Sequence, residues 1–125
     1  MITEDYCSFE VAKLLKKKGF DELCIFKYSS EGVRMKAGVA IDEWQNSELD
    51  DDECSCVSHQ MAMKWLREVY NIVISIFPTI ETNMIVREDY NYAIYKNKTV
   101  VYQSCSTSYE QAIEAAIKYS LENLI

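Results

Sequence analysis

The amino-acid sequence predicts an α+β protein, a two-layer fold in which helices pack on one face of a mostly antiparallel sheet. Stretches near both ends and in the middle of the chain carry apolar residues at helical spacing. Runs rich in β-forming residues, separated by short turn sequences, lie between those stretches. The 125 residues, of which 49% are hydrophobic and 26% charged, are typical of one domain with a single core. We therefore expect one domain over residues 1–125 with the element order α-β-β-α-β-β-β-α.

The first half of the chain begins with a predicted helix in "SFEVAKLLKKKGF", where Ser8 supplies the N-cap and Gly19 ends the helix. Two β-rich runs then flank "SSEG", which indicates a hairpin with Gly32 at positive φ. The following residues show no periodicity and are rich in acidic side chains. We expect an irregular acidic loop at about 42–57, long enough to be a candidate for function.

A middle helix is predicted from Ser58 to about Tyr70, and we expect Trp65 to be buried against Ile113 or Ile117 of the last helix. "NIVISIFP" then predicts a strand covered on both faces. Strands at about 83–88 and 91–96 follow, with "REDYN" as the turn between them, and "YKNKT" predicts a hairpin turn into "TVVYQS". The predicted buried face of the middle helix consists of Met61, Ala62, Trp65, Leu66 and Val69.

The last helix is predicted in "TSYEQAIEAAIKYSLENLI", where Thr107 and Glu110 have the spacing of a capping box. Its residues at helical spacing form a stripe with one polar member, Ser120. The predicted stripe consists of Tyr109, Ala112, Ile113, Ala116, Ile117, Ser120, Leu121 and Leu124.

The net charge of −7 is unevenly distributed, because residues 48–57 hold five acidic residues and no basic one. Non-specific binding of nucleic acid depends on basic residues that neutralise its phosphates, and this chain is acidic. We therefore expect no direct electrostatic binding of nucleic acid. The second half has the element order of a double-stranded-RNA-binding domain. Its six basic and seven acidic residues over 58–125 argue against that activity, so the likeness is one of topology.

The cysteines and the apolar runs predict a cytosolic location. The amino terminus "MITEDY" is acidic where a signal peptide is basic, and the longest apolar run, 72–78, is too short to span a bilayer. The five cysteines follow no secreted disulfide framework, and we expect them to be reduced. We expect neither a membrane partner nor a cofactor.

The segment "CSCVSHQ" contains the chain's single histidine and is the candidate metal site. Cys54, Cys56 and His59 offer two thiolates and an imidazole, a set that suits zinc. The spacing lacks a second Cys-x-x-Cys pair. The alternative interpretation places His59 at the first position of the middle helix, where it contributes to packing and capping, and we prefer it.

Tyrosine is enriched, with nine residues in the chain, and four of them lie on the last predicted strands. Aromatic pairs across strands are common in sheets, and this is the simpler explanation. Tyrosine is also enriched at protein interfaces, so these strands are a candidate partner-binding region. The candidate residues are Tyr90, Tyr92, Tyr95 and Tyr102.

The segments "SFEVAKLLKKKGFDE", "HQMAMKWLREVYNI" and "YEQAIEAAIKYSLENLI" resemble small uncharacterised proteins of Bacteroides-group gut bacteria and of their phages and mobile elements. The resemblance covers about a third of the chain. It implies an intracellular accessory protein and assigns no role to any residue.

These observations favour a small non-enzymatic protein that binds another protein or a second copy of itself. The alternative function is a metal-binding protein or enzyme centred on Cys54, Cys56 and His59. A weaker alternative is an acidic mimic of nucleic acid. Such a mimic spreads its acids over a surface, whereas here five of them lie within residues 48–57.

Overall fold

The computed structural model describes residues 2–38, 43–81, 83 and 86–125. Its described part contains three α-helices and two three-stranded antiparallel sheets, which confirms the α+β class and the predicted order of elements. The chain forms two compact units, Met1–Ala62 and Met63–Ile125. The elements are α1 (Phe9–Lys17), β1 (Phe26–Tyr28), β2 (Arg34–Lys36), β3 (Cys54–Ser55), α2 (His59–Tyr70), β4 (Ile72–Ile80), β5 (Val86–Lys96), β6 (Thr99–Ser106) and α3 (Tyr109–Asn123).

Helix α1 begins and ends at the predicted signals. The Ser8 hydroxyl accepts a hydrogen bond from Val11 N at 3.2 Å, and Gly19 follows the helix at a φ of 98°. Val11 and Leu15 are buried on the apolar stripe, and Phe20 is buried just beyond the helix end. This stripe forms the core of the first unit.

The sheet of the first unit has the order β2-β1-β3. The predicted hairpin joins β1 to β2, and its turn is closed by Gly32 N donating to Ser29 O at 2.9 Å. Gly32 has a φ of 79°, the left-handed conformation that the sequence predicted. On the other side, β1 pairs with β3, with Tyr28 opposite Cys54.

The stretch predicted as irregular contains two short elements, so that prediction is corrected in part. A 3₁₀ helix covers Asn46–Glu48, and β3 covers Cys54–Ser55. The buried Asn46 side chain joins them to the rest of the unit, because its amide donates to Phe20 O at 2.7 Å and its oxygen accepts from Ser55 N at 2.8 Å. Elements this short have no periodicity that a sequence could reveal. Position 42, where the loop was predicted to begin, lies outside the described residues.

The acidic turn is held by lysines of α1 and β1. Lys16 Nζ donates to the carbonyl oxygens of Asp50 and Glu53 at 2.6 and 2.7 Å. Lys27 Nζ lies 2.9 Å from the Glu53 carboxylate. This hydrogen bond lowers the pKa of the Glu53 carboxyl. Position 53 therefore has a structural role, whereas the side chains of Asp51 and Asp52 are exposed.

Helix α2 begins at His59, as predicted, and the Ser58 hydroxyl accepts from Met61 N at 3.1 Å. Trp65 is 7% exposed and meets the Tyr70 ring edge-on at 5.2 Å between centroids. The predicted buried face was too wide, because Met61 and Val69 are exposed. Both residues lie at the margins of the arc that Ala62, Trp65 and Leu66 define, and only that central arc is buried.

The second unit contains a sheet of order β4-β5-β6. The prediction of two strands with a turn at "REDYN" was wrong, because Val86–Lys96 is one continuous strand. Within it, Asn91 pairs with Phe77 of β4, and its side-chain amide donates to the Thr79 hydroxyl at 2.5 Å. These polar residues alternate between sheet faces instead of forming a turn. The predicted turn at "YKNKT" is present, with positive φ at Asn97 and Lys98.

Helix α3 packs against the β4-β5-β6 sheet and buries most of the predicted stripe. Tyr109 is exposed and Leu124 is half-buried, so the stripe is shorter at both ends than predicted. The N-cap is Ser108, whose hydroxyl accepts from Gln111 N at 3.1 Å, and not Thr107. Ser120, the polar member of the stripe, donates to Ala116 O at 2.8 Å and is thereby satisfied inside the core.

Candidate functional site

The four candidate tyrosines do not share one surface, and three of them pack within the second unit towards α3. The Tyr102 ring stacks on Tyr119 of α3 with centroids 3.8 Å apart, and Tyr90 meets Tyr109 edge-on at 5.6 Å. Tyr92 is buried between strands, and this burial raises the pKa of its hydroxyl. Aromatic packing therefore accounts for these three residues.

Tyr95 is the exception, because neighbouring residues of a strand point to opposite faces of the sheet. It pairs with Val73 of β4 and with Val100 of β6 on the face away from α3. The register shift after Ile94 leaves Val101 as an extra residue in β6 beside this pair. We call this surface the open face, defined by Val73, Ser75, Phe77, Asn91, Ala93, Tyr95, Val100, Val101, Gln103 and Cys105.

The open face carries large apolar side chains that solvent reaches. Phe77 is 42% exposed, and Val73 and Val101 are exposed to a similar extent. A cavity of about 410 Å³ lies beside Phe77, with Asn91, Gln103 and Cys105 in its lining. The prediction that the strand in "NIVISIFP" is covered on both faces was wrong, because Val73 and Phe77 are exposed. The exposed face of an antiparallel sheet is ordinarily polar, so these apolar side chains depart from the usual pattern.

The predicted metal ligands lie in different environments of the first unit. Cys54 pairs with Tyr28 across the sheet near Lys16, and burial raises the pKa of its thiol to about 11. Cys56 lies near Tyr28 and Arg34, and burial raises the pKa of its thiol as well. Among the residues that the structure describes, the ligand atoms of Cys54, Cys56 and His59 do not come within 4.8 Å of one another as a set. The geometry gives the metal hypothesis no support.

The structure instead brings Cys7 next to His59, a pair that the sequence analysis missed. Residues 5–7 pair with 57–59, with Cys7 N donating to Val57 O at 2.8 Å and His59 N to Asp5 O at 2.9 Å. As a result, Cys7 Sγ lies within 4.8 Å of a ring nitrogen of His59. A thiol beside an imidazole resembles a nucleophile and its base. Both side chains are buried, His59 at 5% exposure, so the pair belongs to the packing of the first unit.

No local signal in the sequence could have predicted that pair, because 52 positions separate its members and an isolated bridge between Tyr6 and Ser58 joins their segments. The prediction for His59 itself, a first helical residue that contributes to packing, agrees with its buried position at the start of α2.

A second surface feature, which we call the β1–β3 cleft, lies in the first unit. It has a volume of about 260 Å³ and lies between residues 23–25, which precede β1, and residues 56–58, which follow β3. Tyr6 and Met61 also line it. Burial raises the pKa of the Cys24 thiol in this cleft to about 11, with further contributions from nearby Cys56, Glu43 and Glu22. A thiol with so high a pKa is protonated at neutral pH and is a poor nucleophile.

The acidic residues at 50–53 are interleaved with lysines. A cavity of about 460 Å³ is lined by Asp51, Asp52 and Glu53 together with Lys13, Lys16 and Lys17. Opposite charges at such short range compensate one another, whereas a mimic of nucleic acid presents an uncompensated row of negative charge. This arrangement does not favour the nucleic-acid mimic.

No protein-family model, curated protein or solved structure matches this chain. In the ranges that the structure describes, no helix combines the length and the apolar character that crossing a membrane requires. The open face and the β1–β3 cleft are the two surfaces of the described residues that offer accessible apolar side chains beside a cavity.

Proposed function

We propose that this chain is a non-enzymatic accessory protein that binds another protein through the open face of its second unit. The observation that carries the proposal is the exposure of Val73, Phe77 and Val101 on the sheet face opposite α3. We also propose a cytosolic location, in keeping with five cysteines that follow no secreted disulfide framework.

The physical basis is the cost of leaving apolar surface in water. Removing such surface from water is favourable by about 25 cal/mol per Å² before the entropic cost of association, and apolar residues clustered on one face are typical of interaction sites. Tyr95 lies among them with a polar hydroxyl at the end of an apolar ring, a combination that is favourable at interfaces.

The partner expected from this chemistry is a neutral surface with a protruding apolar side chain. The open face itself carries the polar, uncharged Asn91 and Gln103 beside Phe77, and the cavity there has room for such a side chain. The second unit holds six basic and seven acidic residues, so no strong field selects a charged partner.

Site-specific photo-crosslinking in the cells that produce the protein tests the proposal. A benzophenone amino acid replaces Phe77 on the open face or, as a matched control, the exposed Glu122 on α3 of the same unit. We expect a discrete protein adduct from position 77 and none from position 122. An adduct of twice the 14.5 kDa chain mass would identify the partner as a second copy. Equal labelling at both positions, or none at position 77, would refute the proposal.

A further inference from the structure

The β1–β3 cleft forms because the two strands separate at one end. At that end, Cys56 N donates to Phe26 O at 3.0 Å. Beyond it, Cys24 pairs with Trp44, with N–O distances of 2.8 and 2.7 Å. The chain after Cys56 pairs with residues 5–7 instead. The two diverging segments leave an opening whose walls are fixed by backbone hydrogen bonds.

The rim of the cleft is apolar and accessible. Leu23 is 53% exposed, and Ile25 and Met61 are also exposed. Cys24 and Cys56 lie deeper, and both are protonated thiols that behave as small apolar groups. A volume of about 260 Å³ has room for one or two side chains of a peptide.

Negative charge surrounds this apolar opening. Glu4 lines it, and Glu22 and Glu43 lie close enough to Cys24 to affect the ionisation of its thiol. One cation, Arg34, lies at the Tyr6 wall of the cleft, with its guanidinium over the Tyr6 ring at 4.9 Å. The surrounding unit has the same sign, since residues 1–62 hold thirteen acidic and seven basic residues.

We propose that the β1–β3 cleft binds a basic peptide segment, which inserts an apolar side chain between Leu23 and Met61 and places its cationic residues against Glu4, Glu22 and Glu43. The apolar rim gives the interaction its affinity, and the acidic surroundings select the sign of the peptide's charge. This site is separate from the open face, and either proposal can fail without the other.

The test selects peptides from a random display library on the whole protein. We expect a consensus of lysine or arginine flanking a leucine, methionine or aromatic residue. The selected peptide is then synthesised, and its Kd is measured by fluorescence anisotropy at low and high salt. We expect the affinity to fall as salt rises, because the ionic contacts are exposed.

Surface variants locate the binding site without altering the core. Leu23→Ser removes apolar rim and should weaken peptide binding about tenfold. The double variant Glu22→Gln with Glu43→Gln should weaken it about threefold and reduce its salt dependence. Phe77→Ser, on the open face, should leave peptide binding unchanged. The proposal is overturned by the absence of any enriched peptide, by an acidic or uncharged consensus, or by equal binding to the wild type and the Leu23→Ser variant.

Discussion

The three glycines of this chain differ in their backbone φ and in the space that a Cβ atom would have at each position. A Cβ at Gly32 would lie 2.8 Å from the Phe9 ring, and the residue has a φ of 79°. Gly19 has a φ of 98° with open space around it, and Gly38 has open space without a positive φ. Alanine variants at the three positions therefore distinguish the effect of backbone strain on stability from the effect of steric overlap.

We expect destabilisation to increase in the order Gly38→Ala, Gly19→Ala, Gly32→Ala. Gly38→Ala should be neutral or slightly stabilising, and Gly19→Ala should cost about 1 kcal/mol because alanine is strained at positive φ. Gly32→Ala should cost more, since the Phe9 ring must also move. Urea unfolding of the three variants measures the free energies. A Gly32→Ala protein as stable as Gly38→Ala would contradict the turn geometry.

Trp65 allows a second comparison within one helix. Truncating this buried ring to alanine should cost about 3–5 kcal/mol. Val69→Ala, at a position 56% exposed on the same helix, should change the unfolding free energy by less than about 0.5 kcal/mol. Thermal unfolding followed by circular dichroism measures both variants. Similar losses for the two would mean that α2 buries a different face.

At the scale of elements, the acidic turn illustrates how position determines the role of a carboxylate. Glu53→Gln should cost about 1 kcal/mol, because it weakens the contact with Lys27. The triple variant Asp50→Asn, Asp51→Asn, Asp52→Asn should change stability by less than Glu53→Gln does, because those side chains are exposed and surface ion pairs contribute little. Urea titrations measure the free energy of unfolding of both variants. A triple variant less stable than Glu53→Gln would indicate that the aspartates have partners of their own.

The Glu53 contact also predicts a pH dependence. Its hydrogen bond with Lys27 lowers the pKa of the carboxyl in the folded protein. The stabilisation is therefore fully present above the unfolded pKa of about 4.3 and is lost as the pH falls through the lower folded value. The stability difference between the wild type and Glu53→Gln should be constant near neutral pH and narrow below about pH 4. A stability difference that increased in acid would contradict a lowered pKa of Glu53 in the folded protein.

Long periodic elements were predictable from the sequence, whereas elements defined by distant partners were not. The capping residues and the apolar spacing predict helices α1, α2 and α3. The N-cap of α3 was not predictable, because Thr107 and Ser108 are adjacent and both can cap a helix, and the backbone conformation selects Ser108. Strand β3 has two residues and depends on its pairing with β1. The β1–β3 cleft likewise depends on residues 5–7 meeting 57–59, a long-range pairing that no local pattern encodes.

For the molecule as a whole, the distribution of charge is the property with the widest consequence. Residues 1–62 hold an excess of six acidic residues, whereas residues 63–125 hold seven acidic and six basic residues. Self-repulsion within one compact unit opposes folding and is screened by salt over about 10 Å at 0.1 M. The two units should therefore respond differently to ionic strength.

We expect the thermal midpoint to rise as sodium chloride increases from about 20 to 200 mM, because screening of the net repulsion outweighs weakening of the few short ion pairs. Hydrogen exchange should place the added protection mainly in residues 1–62. The triple aspartate variant removes three of the six excess charges in that unit, so its midpoint should depend less on salt. A midpoint that falls with salt, or protection gained equally in both units, would mean that specific ion pairs outweigh the net charge.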